Sequence, residues 1–226
     1  MGQRYDEFAD WYAGYVSSGA GRPFARSADR LLHRLLGPGD DRLCLDLGCG
    51  GGAHVPALTG LGWRVIGVDV SARQVELARR TGVAAIVASA DDLPLADQSV
   101  DAVATIMTTT DFDALPPVFA EARRVLRPGG RLVVVAAHPC FGGVFVEHDS
   151  RGRRIVHPGY RRHERVEEHP LLGDGIRSRV GVVNVPLPEL LNAVTGAGLV
   201  LGETAEDDGD EPVPVLFGLA ADRLPE

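Results

Sequence analysis

The 226-residue sequence contains no lysine, so its 23 Lys and Arg positions are all arginine. It has only three cysteines, Cys44, Cys49 and Cys140. Their odd number and unpaired spacing exclude a disulfide framework and a zinc-type cysteine cluster, and fit a reducing, cytoplasmic setting. No apolar run approaches the roughly 20 residues that span a bilayer, and the opening MGQRYDEFAD is charged where a signal peptide would be apolar. Positive charge is also scarce. The formal net charge is −8 and the pI about 5.4, which disfavours nucleic acid and anionic membranes as partners. Hydrophobic residues at 45% and charged residues at 24% describe an ordinary globular core. The length suits one α/β domain over 1–226, either monomeric or homodimeric.

Residues 1–40 read as a helical cap: Tyr5, Phe8, Tyr12 and Tyr15 recur at helical spacing, and RSADRLLHRLLG stops at Gly37-Pro38. An alternation follows. Strands are expected at Leu43–Leu47, Arg64–Asp69, Ala84–Ala88, Val100–Met107 and Arg131–His138, apolar on consecutive positions as strands covered on both faces should be. Between them lie SARQVELARRTG, which opens with the capping-box pair Ser71 and Gln74, and ALPPVFAEARRVLRPGG, which ends at Pro-Gly-Gly. Strands alternating with helices imply a doubly wound, mostly parallel α/β sheet. Near the end, Leu199–Ala205 and Val213–Ala220 are separated only by an acidic loop. That is too short for a parallel crossover, so the last strand should run antiparallel.

The segment LCLDLGCGGGAHVPAL packs four glycines into the five residues after Leu47 and Gly48 begins the turn; Gly48, Gly50 and Ala53 satisfy G-x-G-x-x-A. A dinucleotide such as NAD(P) is one reading. Asp69, ending the second strand in VIGVDVS, can accept from both hydroxyls of a ribose under either reading. Asp46 separates them. Two residues before the first glycine, its carboxylate would repel a pyrophosphate and attract an ammonium or sulfonium group. The absence of lysine also removes the Tyr-x-x-x-Lys pair of one oxidoreductase type.

With LDLGCGGG, VDVS, SADDLPLADQSVDAV and EARRVLRPGGRLVVV in this order, the chain resembles the class I (Rossmann-like) S-adenosylmethionine-dependent methyltransferases from about Tyr5 onward. The resemblance implies a seven-stranded sheet of order 3-2-1-4-5-7-6 with its last strand antiparallel, and S-adenosyl-L-methionine as cofactor. It implies that Asp46 and the backbone of Gly48, Cys49 and Gly50 hold the methionine end, with Gly52 allowing close approach. Asp69 would bind the ribose, with Val70 flanking the adenine, and Ala90 and Asp91, ahead of Leu93-Pro94, would meet the adenine edge. Where many relatives carry an aspartate two residues before Asp91, this chain has Ser89, so either Ser89 or Asp91 would take the adenine amino group.

Acceptor chemistry is expected beyond the carboxyl ends of strands four and five. TIMTTTDFD lacks the Asn/Asp-Pro-Pro-aromatic motif of enzymes acting on base amino groups, and this, with the acidic charge, favours a small-molecule acceptor, expected to be a secondary metabolite. Residues 139–180, aromatic and rich in arginine and histidine, read as a substrate lid. Tyr12, Tyr15, Thr109, Thr110, Phe141 and Phe145 are the substrate-site candidates. His138 is the first general-base candidate, followed by Asp111, Tyr160, His157 and Glu147. The histidines are spaced too widely to suggest a metal. A non-catalytic cofactor-binding domain is the remaining alternative.

Overall fold

The computed structural model describes residues 2–17, 19, 21–149, 151, 153–173, 175–209 and 211–225. Helices α1 (Gly2–Ser17) and α2 (Arg22–Leu36) come first. In α2, Ala28, Leu31, Leu32, Leu35 and Leu36 recur three and four apart, and that stripe is buried. The alternating part follows as β1 (Leu43–Leu47), α3 (Val55–Gly60), β2 (Arg64–Asp69), α4 (Ala72–Arg80), β3 (Ala84–Val87), β4 (Val100–Ile106), α5 (Leu115–Val125) and β5 (Leu126–Ala137). Then come three short strands, β6 (Val146–His148), β7 (Arg154–Val156) and β8 (Glu164–Val166), and a 3₁₀ turn at Pro170–Leu172. Helix α6 (Arg177–Val180), β9 (Val182–Asn184), α7 (Leu187–Gly196), β10 (Val200–Glu206) and β11 (Leu216–Asp222) complete the chain.

Seven strands form one sheet in the order β3-β2-β1-β4-β5-β11-β10. Strands β1 to β5 pair in parallel, while β11 is antiparallel to both β5 and β10. This is the expected order, with β10 and β11 as the sixth and seventh long strands. Successive residues of the central strands serve opposite faces. Leu45, Leu47, Val103 and Val134 join α5 and α7 residues such as Phe119 and Leu190 in one cluster. Cys44, Ala102, Ala104, Val133 and Val135 join Leu32 and Leu35 of α2 in the other. Both faces are therefore covered, which is why these strands carry no polar alternation.

The chain leaves β1 toward β2 and β3 on one side and β4 and β5 on the other, so the carboxyl ends of β1 and β4 flank the sheet's switch point. Strands β3, β4 and β10 end within a residue of expectation, β11 starts three residues later, at Leu216, and two regions depart further. Strand β5 begins at Leu126, directly after α5, because its first residues pair with Val100 before a register shift. Residues 139–180 are built from small pieces, with β6 pairing β7 and β8 pairing β9, both antiparallel. Three-residue strands are too short to show a period in sequence. Among the described residues no helix is long and apolar enough to cross a membrane.

Candidate active site

A cavity of about 630 Å³ opens at the switch point, within the usual range for small-molecule sites. Its floor is the turn after β1. Gly48 has φ +78°, a left-handed conformation that favours glycine, and a Cβ there would lie 2.5 Å from Thr108 Cγ2. Its amide and that of Cys49 both donate to the Val68 carbonyl, at 2.8 and 3.0 Å. Gly67 on β2 is equally constrained, since a Cβ would lie 2.6 Å from Cys49 Sγ. Burial pushes the Cys49 thiol up and keeps it neutral.

Behind this turn lies Asp46, 1% exposed, whose strand neighbours are the small residues Gly67 and Ala104. Burial pushes its carboxyl up to about 6, opposed by attraction to His54. His54 lines the cavity and shares a 2.8 Å contact between Nδ1 and Asp29 Oδ1. Asp46 Oδ2 has no hydrogen-bond partner among the described residues. Nor do Nε2 and Oε1 of Gln74, a 1% exposed residue that also borders the cavity. A Cβ on Gly51 would sit 3.3 Å from Gln74 Oε1, which places the amide over the glycine turn. Buried polar atoms are rarely left unmet, because each costs on the order of 1–3 kcal/mol. This cluster therefore fits a ligand that supplies donors to Asp46 and both a donor and an acceptor to Gln74.

Gln74 is a site residue the sequence reading missed. In S-x-x-Q its side chain should return to the Ser71 amide. Ser71 Oγ does accept from the Gln74 amide at 3.1 Å, but the Ser71 amide donates to Asp69 Oδ1 at 2.9 Å, so the Gln74 side chain is not needed there. Asp69 Oδ2 also accepts from the Gly50 amide, at 2.8 Å, so the ribose candidate and the glycine turn are tied together. Burial pushes the Asp69 carboxyl up.

Of the remaining cofactor candidates, Gly48, Cys49, Gly50, Gly52, Asp69, Val70, Ala90 and Asp91 all border this cavity. Ser89 does too, and its hydroxyl donates to Asp91 Oδ1. Leu93 does not. It is buried in the main core, and its amide donates to Glu121 Oε2 at 2.8 Å.

The roof is α1. Asp6 accepts from Ser71 Oγ and, at 3.0 Å, from the Arg73 amide at the start of α4, and those bonds hold its carboxyl down. Asp10 pairs with Arg73 at 2.8 Å, and Arg179 lies 4.3 Å over the Trp11 ring. So fastened, α1 presents Tyr5, Tyr12 and Val16 to the cavity. Tyr15 instead stacks on Trp11 and Tyr12, with centroids 5.1 and 6.3 Å away, and does not border the space. Opposite Tyr12, the loop after β4 contributes Met107, Thr108, Asp111 and Phe112. Tyr5 donates to Asp111 Oδ1 at 2.8 Å. Burial pushes Asp111 up to about 6, against the pull of Arg177 and the Tyr5 bond. Burial likewise holds Tyr5 well above the usual phenol range and Tyr12 up to about 12, so both stay protonated.

The lid candidates lie elsewhere, because no described residue of 139–180 borders the main cavity. Phe145 packs with Val144 and Val182 in a satellite cluster, and Phe141 lies tilted against the His138 ring, with centroids 4.6 Å apart. His138 is 3% exposed and fully engaged: Nδ1 accepts from the Cys140 amide at 3.1 Å and Nε2 lies 2.9 Å from Glu206 Oε1. With Nδ1 accepting, the ring proton sits on Nε2, and the histidine fastens the end of β5. Tyr160 accepts from the Leu187 amide, and His157 pairs with Glu147 at 2.8 Å. Thr109 and Thr110 line a separate space of about 20 Å³ with Arg177, large enough for a water at most. Of the acceptor-side candidates, the structure brings only Tyr12 and Asp111 to the cavity.

Comparison with known proteins meets this geometry from outside. Residues 45–134 match the family model described as "Methyltransferase domain". The O-methyltransferase cnsE of Penicillium expansum is 33% identical over 165 residues, 62% of this chain and 60% of that protein. The 27-O-demethylrifamycin SV methyltransferase of Amycolatopsis mediterranei is 35% identical over 157 residues, 59% of this chain and 57% of that protein. The chain thus spans less than two thirds of these relatives. A crystal structure of an S-adenosylmethionine-dependent methyltransferase from Mesorhizobium loti superposes with a TM-score of 0.70 at 21% identity, covering 87% of this chain and 98% of that one, and so shares its fold.

Proposed function

From the match of residues 45–134 to the methyltransferase-domain model and the cavity over the glycine turn, we propose that the chain is a class I (Rossmann-like) S-adenosylmethionine-dependent methyltransferase that methylates a small-molecule acceptor in the cavity roofed by α1. One observation carries the reading. Three buried polar side-chain atoms without partners, Asp46 Oδ2 and the two amide atoms of Gln74, flank a turn that leaves no room for a side chain at Gly48. They fit an amino-acid ammonium and a ribose, and they do not fit a pyrophosphate beside Asp46. Asp46, Gln74, Asp69 and the Gly48–Gly52 backbone would hold the cofactor, with Val70, Ser89, Ala90 and Asp91 around its adenine.

When bound, S-adenosylmethionine supplies a methyl group on a positively charged sulfur with a neutral leaving group. The chain's part is then alignment and exclusion of water. Tyr5, Tyr12, Phe112 and Met107 confine the acceptor between α1 and the loop after β4, and positioning of this kind can supply on the order of 7–11 kcal/mol. The relatives named for O-methylation support a small-molecule acceptor, and secondary metabolism is the setting we infer from them. The test is calorimetric titration with S-adenosylmethionine and NAD, followed by labelled-methyl transfer to a panel of metabolites. Binding of NAD in preference to S-adenosylmethionine would refute the reading.

A further inference from the structure

The charges around the acceptor end of the cavity discriminate among acceptors. We propose that the methyl acceptor is an uncharged phenol that gives its hydroxyl proton to Asp111, with Tyr5 as the positioning residue for that carboxylate. The proposal rests on the methyl-transfer reading above and adds an acceptor class and a catalytic residue.

Four aspartates, His54 and the neutral thiol of Cys49 are the charged or titratable residues bordering the cavity besides the two tyrosines, and among the described residues no arginine borders it. A carboxylate or phosphate acceptor would find repulsion and no counter-ion. A permanently protonated ammonium would be drawn to these carboxylates but has no lone pair with which to attack a methyl group. Arg177 is seated on Thr110 at 3.0 Å, and Arg165 donates to the Asp111 carbonyl at 3.3 Å and to Asp113 at 2.8 Å, so two guanidinium groups stand behind Asp111. A neutral molecule escapes both penalties. The rings of Tyr5, Tyr12 and Phe112 offer apolar faces to a planar acceptor.

The groups that set the proton affinity of Asp111 come from every element around it. Tyr5 and Tyr12 stand on α1, Arg177 on α6, Arg165 on β8 and Asp69 at the end of β2. Held up to about 6 by burial, Asp111 is a better proton acceptor than an ordinary carboxylate. A phenol, near 10, lies within its reach in a transition state, whereas an aliphatic hydroxyl is a far weaker acid. Asp111 also sits close to the cofactor turn, since its amide closes a turn on the Thr108 carbonyl at 2.8 Å and Thr108 packs over Gly48. In the step itself the phenol O–H bond breaks and its proton goes to the Asp111 carboxylate. The phenol oxygen bonds to the methyl carbon, and the electron pair of the carbon–sulfur bond leaves with the sulfur, giving S-adenosylhomocysteine and an aryl methyl ether.

The experiment uses the full chain and four acceptors of one ring skeleton: a phenol, a benzoate, a benzylic alcohol and a benzylic amine. Labelled-methyl transfer is measured alongside calorimetric binding of S-adenosylhomocysteine, and of the phenol in its presence. The phenol alone should be methylated, with kcat/KM for the phenol at saturating S-adenosylmethionine rising with pH through about 6. Asp111→Asn should lower kcat on the order of 10²–10⁴-fold and abolish that rise, with S-adenosylhomocysteine affinity unchanged within about twofold. Tyr5→Phe removes a bond that favours the ionised carboxylate, so the rise should move to higher pH, an effect that plain loss of packing would not give. A more acidic nitrophenol should recover part of the Asp111→Asn loss. Methylation of the amine, the benzoate or the alcohol instead would overturn the proposal. So would an Asp111→Asn variant within about threefold of wild type, or a cofactor-binding chain that neither binds nor methylates the phenol. Failure to bind S-adenosylhomocysteine at all would instead sink the functional reading beneath it.

Discussion

The turn after β1 and the segment after β5 are both crowded with polar and titratable side chains, yet they differ in whether those groups are met. In the segment, His157 is paired with Glu147, His163 with Glu189, and the Asn184 amide donates to the carbonyls of Tyr160 and Arg162. His138 at its start uses both ring nitrogens. Arg154 is an exception there, with Nε and Nη1 lacking partners among the described residues while Nη2 reaches Glu211. At the turn, Asp46 and Gln74 are buried with unmet polar atoms, and Gln74 borders the cavity. Residue type made the segment look like the functional part. Unmet hydrogen-bonding capacity next to a cavity is the better mark, because a folded chain tolerates it mainly where a ligand completes it.

The strongest way to break this contrast is at the turn itself. Gly48→Val combines a left-handed backbone with a clash against Thr108. It should cost about 2–4 kcal/mol of stability and lower S-adenosylhomocysteine affinity by at least about 100-fold, read by thermal melting and calorimetry. Next in size is Asp46→Asn. Its carboxyl is raised to about 6 from the ordinary 3.8, so the folded state holds the proton more tightly than the unfolded one. Wild-type stability should accordingly rise as pH falls from about 6 toward 4, and at neutral pH the ionised group is a cost. The amide should then stabilise the free protein, on the order of 1–2 kcal/mol, while cofactor affinity falls about 30-fold. An equal loss of both would identify Asp46 as a structural residue. Smallest are His157→Ala and His163→Ala. Each removes a partly exposed pair worth up to about 1 kcal/mol and should leave cofactor affinity within about twofold.

The sheet was legible because its strands are apolar on both faces and end in marked turns. Strands β1 and β2 fall on the expected residues, and the reversed β11 followed from a loop too short to cross over. Strand β5 was read five residues short because Pro128-Gly129-Gly130 resembles a stop, although Leu126 already pairs with Val100. The floor of the site was legible from Gly48 to Gly52 and at Asp69, where few residue types serve. Gln74 was hidden because its spacing from Ser71 has a local explanation that the Asp69 carboxylate pre-empts. The acceptor side was the least legible. Whether His138 faces a cavity or fastens a strand depends on Glu206, 68 residues away, and whether Asp111 is a base depends on Tyr5, which is 106 residues away.

The most direct measurement is the calorimetric affinity of S-adenosylhomocysteine at pH 5 and pH 7.5, with NAD as the comparison ligand. An ammonium beside Asp46 needs the ionised carboxylate, and burial holds that group at about 6. Binding should be roughly tenfold weaker at pH 5, with proton release on binding there, and NAD should not bind at either pH. Binding of NAD, or an S-adenosylhomocysteine affinity indifferent to pH, would contradict the role given to Asp46.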